Sequence, residues 1–184
     1  MSNFKQKYQK YKTKYINMKN QSGGNINFPL NPNPRDDGNG DQTVKKHLAL
    51  LELLDYEGAN KQNWDIIRKI YDENVVMIMS DGMELKGLEQ NIVMMKQMYD
   101  MAPDCKVIHD IQFGSGDWLA VGLTMTGTMT GPMKTPEGKV YQPTGKKFKM
   151  KSCSLEQWRN DKIIKEIIYW DNGTFMKQLG LINF

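Results

Sequence analysis

Four strand-length segments follow one another in the last third of the chain, and this feature restricts the fold more than any other. They span about 105–113, 117–130, 147–158 and 162–171, and short turns at 114–116 and 159–161 join the first two and the last two. Strands joined by such tight turns pair antiparallel. Residues 131–146 form the one long connection and are predicted to be a loop. We therefore expect a consecutive antiparallel sheet.

Helical spacing dominates the residues before this sheet. A first helix has its apolar face at Val44, Leu48 and Leu51, and either Asp41 or Thr43 can cap it. A second helix opens at Asn63 and contains Trp64, Ile67, Ile70 and Tyr71; a hairpin over 74–87 and a third helix over about 88–100 follow. Helices followed by an antiparallel sheet predict an α+β domain whose curved sheet wraps around a long helix, the one at 88–100.

The residues before this domain divide into two segments of different composition. Residues 1–20 carry six lysines and no acidic residue, and aromatic residues recur every three or four positions, which predicts a basic amphipathic tail. This tail is either a solvated extension or a contact to an acidic partner or nucleic acid. Residues 21–42 are rich in Gly, Pro and Asn and predict a flexible linker. Residues 43–184 then form the folded domain.

Composition excludes several classes of protein. Cys105 and Cys153 are far apart in sequence and predict two buried thiols, and His47 and His109 are too dispersed for a zinc site, so we expect neither metal nor cofactor. The mean hydropathy is −0.63, and no apolar run reaches the roughly 18–20 residues of a membrane span. The lysine-rich N-terminus also lacks the apolar core of a secretory signal. These observations predict a soluble, cytoplasmic protein.

Six short strings, in this order, resemble the SnoaL-like polyketide cyclases of the NTF2-like superfamily. They are ENVVM, GLEQ, GDWLAVGLTMTGTMTG, PTGK, NDKIIKE and QLGL, and they extend the resemblance over about residues 43–181. The resemblance implies a cone with a curved antiparallel or mixed sheet, N-terminal helices, a small-molecule pocket and a homodimer formed through the sheet. It also implies ring closure of a polyketide-like compound by an intramolecular aldol reaction, without metal or cofactor.

The acid–base residues of the family do not carry over to this chain. Aligned on the same strings, the family's catalytic Asp falls at Ile168 and its assisting His at Ser154, and the recurring Thr-His-Thr-Gly string has Met129 in place of its His. Neither isoleucine nor methionine can transfer a proton. The resemblance therefore implies the fold together with altered acid–base groups.

Strand alternation indicates which carboxylates replace them. On the third strand, Lys147, Lys149 and Lys151 point outward, which places Ser154, Glu156 and Trp158 on the pocket face. On the last strand, the face of Ile168 also holds Ile164, Glu166 and Trp170. Glu166 and Glu156 are the candidate catalytic residues, because desolvation in an apolar cone raises the pKa of a carboxyl. The alternative is that both lie at the rim, solvated or paired with Arg159 or a lysine.

Other positions are candidates for ligand binding. The predicted pocket is lined by Trp118, Met129, Ser154, Trp158, Ile168, Trp170 and Asp171. The aromatic and methionine side chains are alternatively core residues. Asp171 is alternatively the N-cap of a closing helix, and His109 is predicted to be a packed or surface histidine rather than a base.

The N-terminal string FKQKYQKYKTKYINMKNQSGG resembles the lysine- and tyrosine-rich extensions of giant DNA virus proteins. This resemblance implies a location in the cytoplasm of an infected host or in the virion. Two functions remain open. The first is a cone that binds a small apolar or polyketide-like ligand, with cyclase or isomerase activity through altered acid–base groups. The alternative is a non-catalytic viral scaffold or virion-associated protein that dimerises through the cone and uses the tail for partner binding or targeting.

Overall fold

The computed structural model describes residues 35–36, 40–135 and 138–182, with Arg35 and Asp36 described by their backbone alone. The predicted tail of residues 1–20 and most of the predicted linker lie outside these residues. The helices are α1 (Gln42–Leu53), α2 (Trp64–Ile70), α3 (Leu88–Met101) and α4 (Asn172–Gln178), and α1 continues into a π-helical turn, Leu54–Ala59. The strands are β1 (Arg35–Asp36), β2 (Tyr71–Ile78), β3 (Glu84–Lys86), β4 (Lys106–Ser115), β5 (Trp118–Thr128), β6 (Met133–Lys134), β7 (Val140–Tyr141), β8 (Lys147–Arg159) and β9 (Lys162–Trp170).

Seven strands form one mixed sheet in the order β1-β4-β5-β8-β9-β2-β3. The predicted antiparallel succession is confirmed for β4, β5, β8 and β9. The hairpin strand β2 lies parallel to β9, so the sheet is mixed. β1 pairs parallel with β4 and lies within the segment predicted as a linker. β6 and β7 form a separate small hairpin inside the segment predicted as a loop.

The first core cluster joins α1 to the inner face of the sheet. Asp41 is the N-cap of α1, since its Oδ1 accepts the backbone N–H groups of Thr43 at 2.8 Å and Val44 at 3.4 Å. The buried face of α1 then packs with residues of α2, α3 and the sheet: Val44, Leu48, Leu51, Ile67, Ile92, Leu119, Val121, Trp158 and Ile163. Both α1 and α3 therefore contribute to the core that covers the sheet, and the predicted α+β fold with a long helix and N-terminal helices is confirmed.

A second core cluster lies around the closing helix α4. Phe175 and Leu179 of α4 pack with Tyr99 and Met101 of α3 and with Met129, Phe148 and Met150. The rings of Phe148 and Phe175 meet edge to face, with centroids 5.1 Å apart. This cluster covers part of the inner surface of the sheet, because packing there removes the apolar side chains of α4 from water.

Local details of the strands differ from the predictions. Tyr71 begins β2 rather than ending α2. In the β8–β9 hairpin, Gln157 pairs with Lys165 but Trp158 pairs with Ile163, so Ile164 forms a β-bulge. Because of the bulge, Ile163 and not Ile164 is fully buried on the inner face.

The two cysteines have different environments. Cys105 is buried, as predicted. Cys153 is exposed, so the prediction of a buried thiol is wrong at this position. The reason is strand alternation, since Cys153 precedes the inward-facing Ser154 and therefore points to the outer face.

The described helices lie within residues 40–135 and 138–182. Each of them is too short or too polar to cross a bilayer.

Candidate active site

Two glutamates face each other on the inner side of the sheet. The register of β8 and β9 pairs Glu156 directly with Glu166, and Ser154 with Ile168. The positions that correspond to the family's acid–base pair are thus neighbours across the two strands. Glu166 precedes Ile168 by two residues on the same strand and shares its face. A carboxylate is therefore present on the same strand, two residues from the expected position.

Hydrogen bonds fix the Glu166 carboxyl group. The Tyr71 hydroxyl donates to Oε2 at 2.5 Å, and the Ser154 hydroxyl donates to Oε1 at 2.8 Å. Glu156 is 1% exposed and Glu166 is 7% exposed. The alternative of two solvated glutamates at the rim is therefore wrong, because both side chains lie in the interior.

Burial changes the proton affinity of this pair. It raises the pKa of Glu166 to about 7, although the hydrogen bonds from Tyr71 and Ser154 act in the opposite direction. The pKa of Glu156 is raised well above its usual value, first by burial and then by the neighbouring Glu166. Two carboxylates side by side in an apolar environment do not both ionise readily. The pair therefore holds a proton near neutral pH, which is the property of a general acid or base.

Several buried polar atoms near the pair have no partner at hydrogen-bonding geometry within the described part of the chain. One of them is Ser152 Oγ, on the inner face of β8. The side-chain oxygen and nitrogen of Asn91, on α3, are in the same condition. Buried polar groups in folded proteins are nearly always paired with protein or water. These atoms could therefore be satisfied by water or by polar groups of a bound ligand.

A second polar cluster links the π-helical turn to β4. Nε2 of His109 lies 2.6 Å from Oδ2 of Asp55, and Nδ1 of His109 lies 2.9 Å from Oε1 of Gln112. The Gln112 side chain donates in turn to Glu52 on α1. His109 is fully buried, so the expectation of a packed histidine is met, together with a charged partner that had not been expected.

The structure brings together only part of the predicted pocket. Ser154, Trp158 and Ile168 lie on the inner face beside the glutamates, and Trp170 is half-buried against the second core cluster. Met129 is fully buried in that cluster. Trp118 is 40% exposed; it pairs with the outward-facing Gln157 and so lies on the outer face.

Asp171 acts as a helix cap. It is exposed and accepts the Thr174 N–H at 2.9 Å, as the N-cap of α4. The alternative prediction, that Asp171 is the N-cap of the closing helix, is therefore confirmed.

Sequence reasoning missed Tyr71, Asp55 and Gln112 at this site. Tyr71 is separated from Glu166 by 95 positions, and Asp55 from His109 by 54. One signal was present, since a helix that carries Glu52 and Asp55 three positions apart places two acidic side chains on one face. That face was instead predicted from its leucines alone.

Two other features of the described residues bear on ligand binding. An open groove of about 460 Å³ lies away from the glutamates and is lined by Asp104, Thr126, Gly127, Thr128, Lys147, Phe148, Lys149 and Gln178. Among residues 40–135 and 138–182, no three His, Cys, Asp or Glu side chains are arranged to hold one metal ion. The buried carboxyl groups of Glu156 and Glu166 are therefore the groups best suited to acid–base chemistry among the described residues.

The sequence matches a known protein family. Residues 50–179 match the family model described as SnoaL-like polyketide cyclase, which is more than half of the chain. A comparison with curated protein sequences gave no match.

Solved structures share the fold at low sequence identity. A protein from Jannaschia sp. CCS1, described as a SnoaL-like polyketide cyclase, aligns with a TM-score of 0.68 and 18% identity over 76% of this chain and 94% of that one. IdmH from Streptomyces antibioticus, described as a polyketide cyclase, gives a TM-score of 0.62 and 20% identity over 73% and 98% of the two chains. A Catenulispora acidiphila protein with a ketosteroid isomerase-like fold, solved with trimethylamine, gives 0.59 and 15% over 72% and 93%. These likenesses establish the NTF2-like cone.

Proposed function

We propose that this chain, which belongs to the SnoaL-like polyketide cyclase family, binds a small, mainly apolar carbonyl compound and moves a proton between its carbon and oxygen atoms. The reaction class is that of a cyclase or isomerase, and it needs no cofactor. The observation that carries the proposal is the buried, cross-strand pair Glu156 and Glu166. The family match and the solved cones support the small-molecule-binding fold in which this pair lies.

The pair has the proton affinity that such a reaction requires. A general acid–base group works best when its pKa lies near the working pH, and the pKa of Glu166 is raised to about 7 by burial. Tyr71 and Ser154 hold the carboxyl in one orientation. The unpaired hydroxyl of Ser152, on the same strand face, offers a hydrogen bond to a carbonyl or hydroxyl group of a ligand.

The displacement of the carboxyl along β9 explains how the fold could retain this chemistry with Ile168 in place of the family's Asp. Residues two apart on a strand share a face and are separated by about 7 Å. Glu has one more methylene than Asp and can recover part of this distance. We therefore infer that Glu166 takes over the acid–base role from a neighbouring backbone position.

Deuterium exchange into a ketone tests this proposal. The full-length protein is incubated in deuterium oxide with α-tetralone, an aromatic bicyclic ketone, and uptake at the carbon beside the carbonyl is followed by NMR. Wild-type protein should accelerate exchange, and Glu166→Gln should lose on the order of 100-fold in rate because an amide cannot exchange the proton. Glu84→Gln is the matched control, since Glu84 is 48% exposed on β3. No acceleration by the wild type, or full activity of Glu166→Gln, would overturn the proposal and favour the scaffold alternative.

We also propose that two copies pair through the outer face of the sheet. The register places apolar side chains in adjacent rows there, among them Ile111, Phe113, Ala120, Leu155, Ile167 and Tyr169. Ile111, Phe113 and Tyr169 are each 45–51% exposed. Contiguous apolar surface of this kind is typical of an interface, and a second copy presents the same rows.

Light scattering after size exclusion at micromolar concentration tests the pairing. A dimer is expected for the wild type, and Phe113→Lys should shift it to monomer because burying an unpaired ammonium in the interface is costly. A Val93→Lys variant, changed on the exposed side of α3, serves as control. A monomeric wild type would contradict the proposed pairing.

A further inference from the structure

We propose that Asp55 is a second catalytic carboxylate, which removes the proton from the substrate carbon while Glu166 gives a proton to the carbonyl oxygen. This inference rests on the proposed function and assigns the two halves of the proton transfer to two groups. Neither the family match nor the positions carried over from the family point to Asp55.

A hydrogen-bond chain around His109 holds the Asp55 carboxyl group in place. The side-chain N–H of Gln112 donates to Glu52. The oxygen of Gln112 then faces His109 and accepts from Nδ1, while Asp55 accepts from Nε2. Both ring nitrogens thus lie against oxygen atoms, an arrangement that suits the protonated ring. Burial lowers the pKa of His109, but its bond to Asp55 outweighs this effect and leaves that pKa above the usual value.

Asp55 differs from the other carboxylates of the interior because its side chain is partly exposed to solvent. Its side chain is 16% exposed, whereas that of His109 is 0% exposed. Only Oδ2 is engaged with His109, and Oδ1 forms no hydrogen bond to the described residues. Asp55 also lies in the π-helical turn Leu54–Ala59, a distortion that often re-aims side chains at functional sites. One oxygen is thus anchored and the other is available to a substrate.

Both polar clusters lie on the same inner surface. Across β4, β5, β8 and β9, one row of the register contains Gln112, Val121, Ser154 and Ile168. Adjacent strands are about 4.8 Å apart, so the backbones of Gln112 and Ser154 are separated by roughly 10 Å. The charge of Asp55 contributes to the raised pKa values of Glu156 and Glu166. The two clusters therefore lie about two strand spacings apart on one face of the sheet.

Glu166 and Asp55 are each surrounded by charged or titratable groups. Glu166 faces Glu156 on β8, the Tyr71 hydroxyl on β2 and, across the interior, Asp55. Asp55 faces His109 on β4, and its charge also reaches Tyr99 on α3 and Tyr56 in its own turn. Lysine and arginine side chains are not among the causes that shift Glu166. His109 is the titratable group in direct contact with Asp55, since Nε2 lies 2.6 Å from Oδ2.

The proposed step balances without any further reactant. Asp55 takes the proton of the carbon beside the carbonyl, and the electron pair of that C–H bond forms the C=C bond of an enol. The carbonyl oxygen receives the proton of Glu166. Glu166 recovers a proton and Asp55 releases one when the enol returns to a ketone or attacks a second carbonyl group of the same molecule, which closes a ring.

The pH dependence distinguishes this assignment from Glu166 acting as the base. If Glu166 is the acid, it must be protonated, so α-tetralone exchange should be fastest below about pH 7 and decline above it. If Glu166 is the base, exchange should instead rise through the same range. The measurement uses unmodified protein and is corrected for exchange in buffer alone.

Variants of Asp55 provide the second test in the same assay. Asp55→Asn should lower the exchange rate on the order of 100-fold at every pH, with Asp65→Asn on α2 as the matched control. Folding of both variants is checked by circular dichroism. If Asp55 acts only through its charge, exchange persists in Asp55→Asn and its transition moves to lower pH, because one cause of the raised pKa of Glu166 is gone.

The outcomes separate this inference from the proposed function. Loss of activity in Glu166→Gln with retained activity in Asp55→Asn would overturn the role of Asp55 and leave the proposed function intact. A wild-type profile that rises through pH 7 would also overturn it, even if Asp55→Asn failed to fold. A wild-type protein without exchange activity would remove both.

Discussion

Replacing Glu166 by Gln should remove a pH-dependent loss of stability. The pKa of Glu166 is raised from its ordinary value of 4.5 to about 7 in the folded protein, chiefly by burial. Between these two values the folded state binds more protons than the unfolded state, so the free energy of unfolding decreases as the pH rises from 4.5 towards 7 and is level above it. The effect is largest above pH 7, where the buried carboxyl must ionise.

The size of this effect follows from the change in proton affinity. One pKa unit corresponds to about 1.4 kcal/mol, so the difference between 4.5 and about 7 amounts to ~3 kcal/mol. Most of it develops between about pH 5 and about pH 8. Relative to Glu166→Gln, the wild-type protein should therefore lose about 2 to 3 kcal/mol of stability over this interval. The variant serves as a reference for the titrating groups that Glu166 does not influence; Glu156 is not one of them, because Glu166 contributes to its raised pKa.

Urea unfolding at about pH 5 and about pH 8 measures this difference. It is carried out on the wild type, on Glu166→Gln and on the control Glu84→Gln. The control should follow the wild type, because Glu84 is solvent-exposed. A stability difference between the wild type and Glu166→Gln that does not change with pH would refute the argument. It would mean that Glu166 titrates like a solvated carboxyl.

Three further predictions concern the site and the tail. Tyr71→Phe should raise the pKa of Glu166 further, because the hydroxyl hydrogen bond lowers it, and carboxyl NMR titration would reveal an unchanged value if this is wrong. Ile168→Asp combined with Ser154→His should increase α-tetralone exchange, since the two positions face each other; a slower rate would contradict this. Deleting residues 1–32 should change the free energy of urea unfolding by less than about 1 kcal/mol, and a larger loss would show that the tail belongs to the folded unit.

Several elements of the fold could be predicted from local sequence because their causes are local. The alternation of lysines with apolar residues in β8 fixes which side chains face inward. The turn between β8 and β9 places Asn160 and Asp161 at positive φ, 51° and 61°, as a two-residue hairpin turn requires. Asp41 caps α1 within three residues of its own position. These features need no information from distant parts of the chain.

The chemistry of the site depended on contacts that local sequence does not specify. The hairpin turn alone would pair Glu156 with Lys165 and place Glu166 on the outer face. The single-residue bulge at Ile164 shifts the register by one position, so Glu166 turns inward opposite Glu156. Whether that position is buried or solvated then depends on α1 and α3, which cover the inner face of the sheet.

The partners of the buried groups were likewise decided by tertiary structure. Tyr71 reaches Glu166 because β2 lies parallel to β9, and Asp55 reaches His109 because the π-helical turn packs on β4. The sequence determined the periodicities, turns and caps, which depend on backbone geometry within a few residues. Only the tertiary structure decided which carboxyl groups lose water, and this loss of solvent is the physical cause of the raised proton affinity at the site.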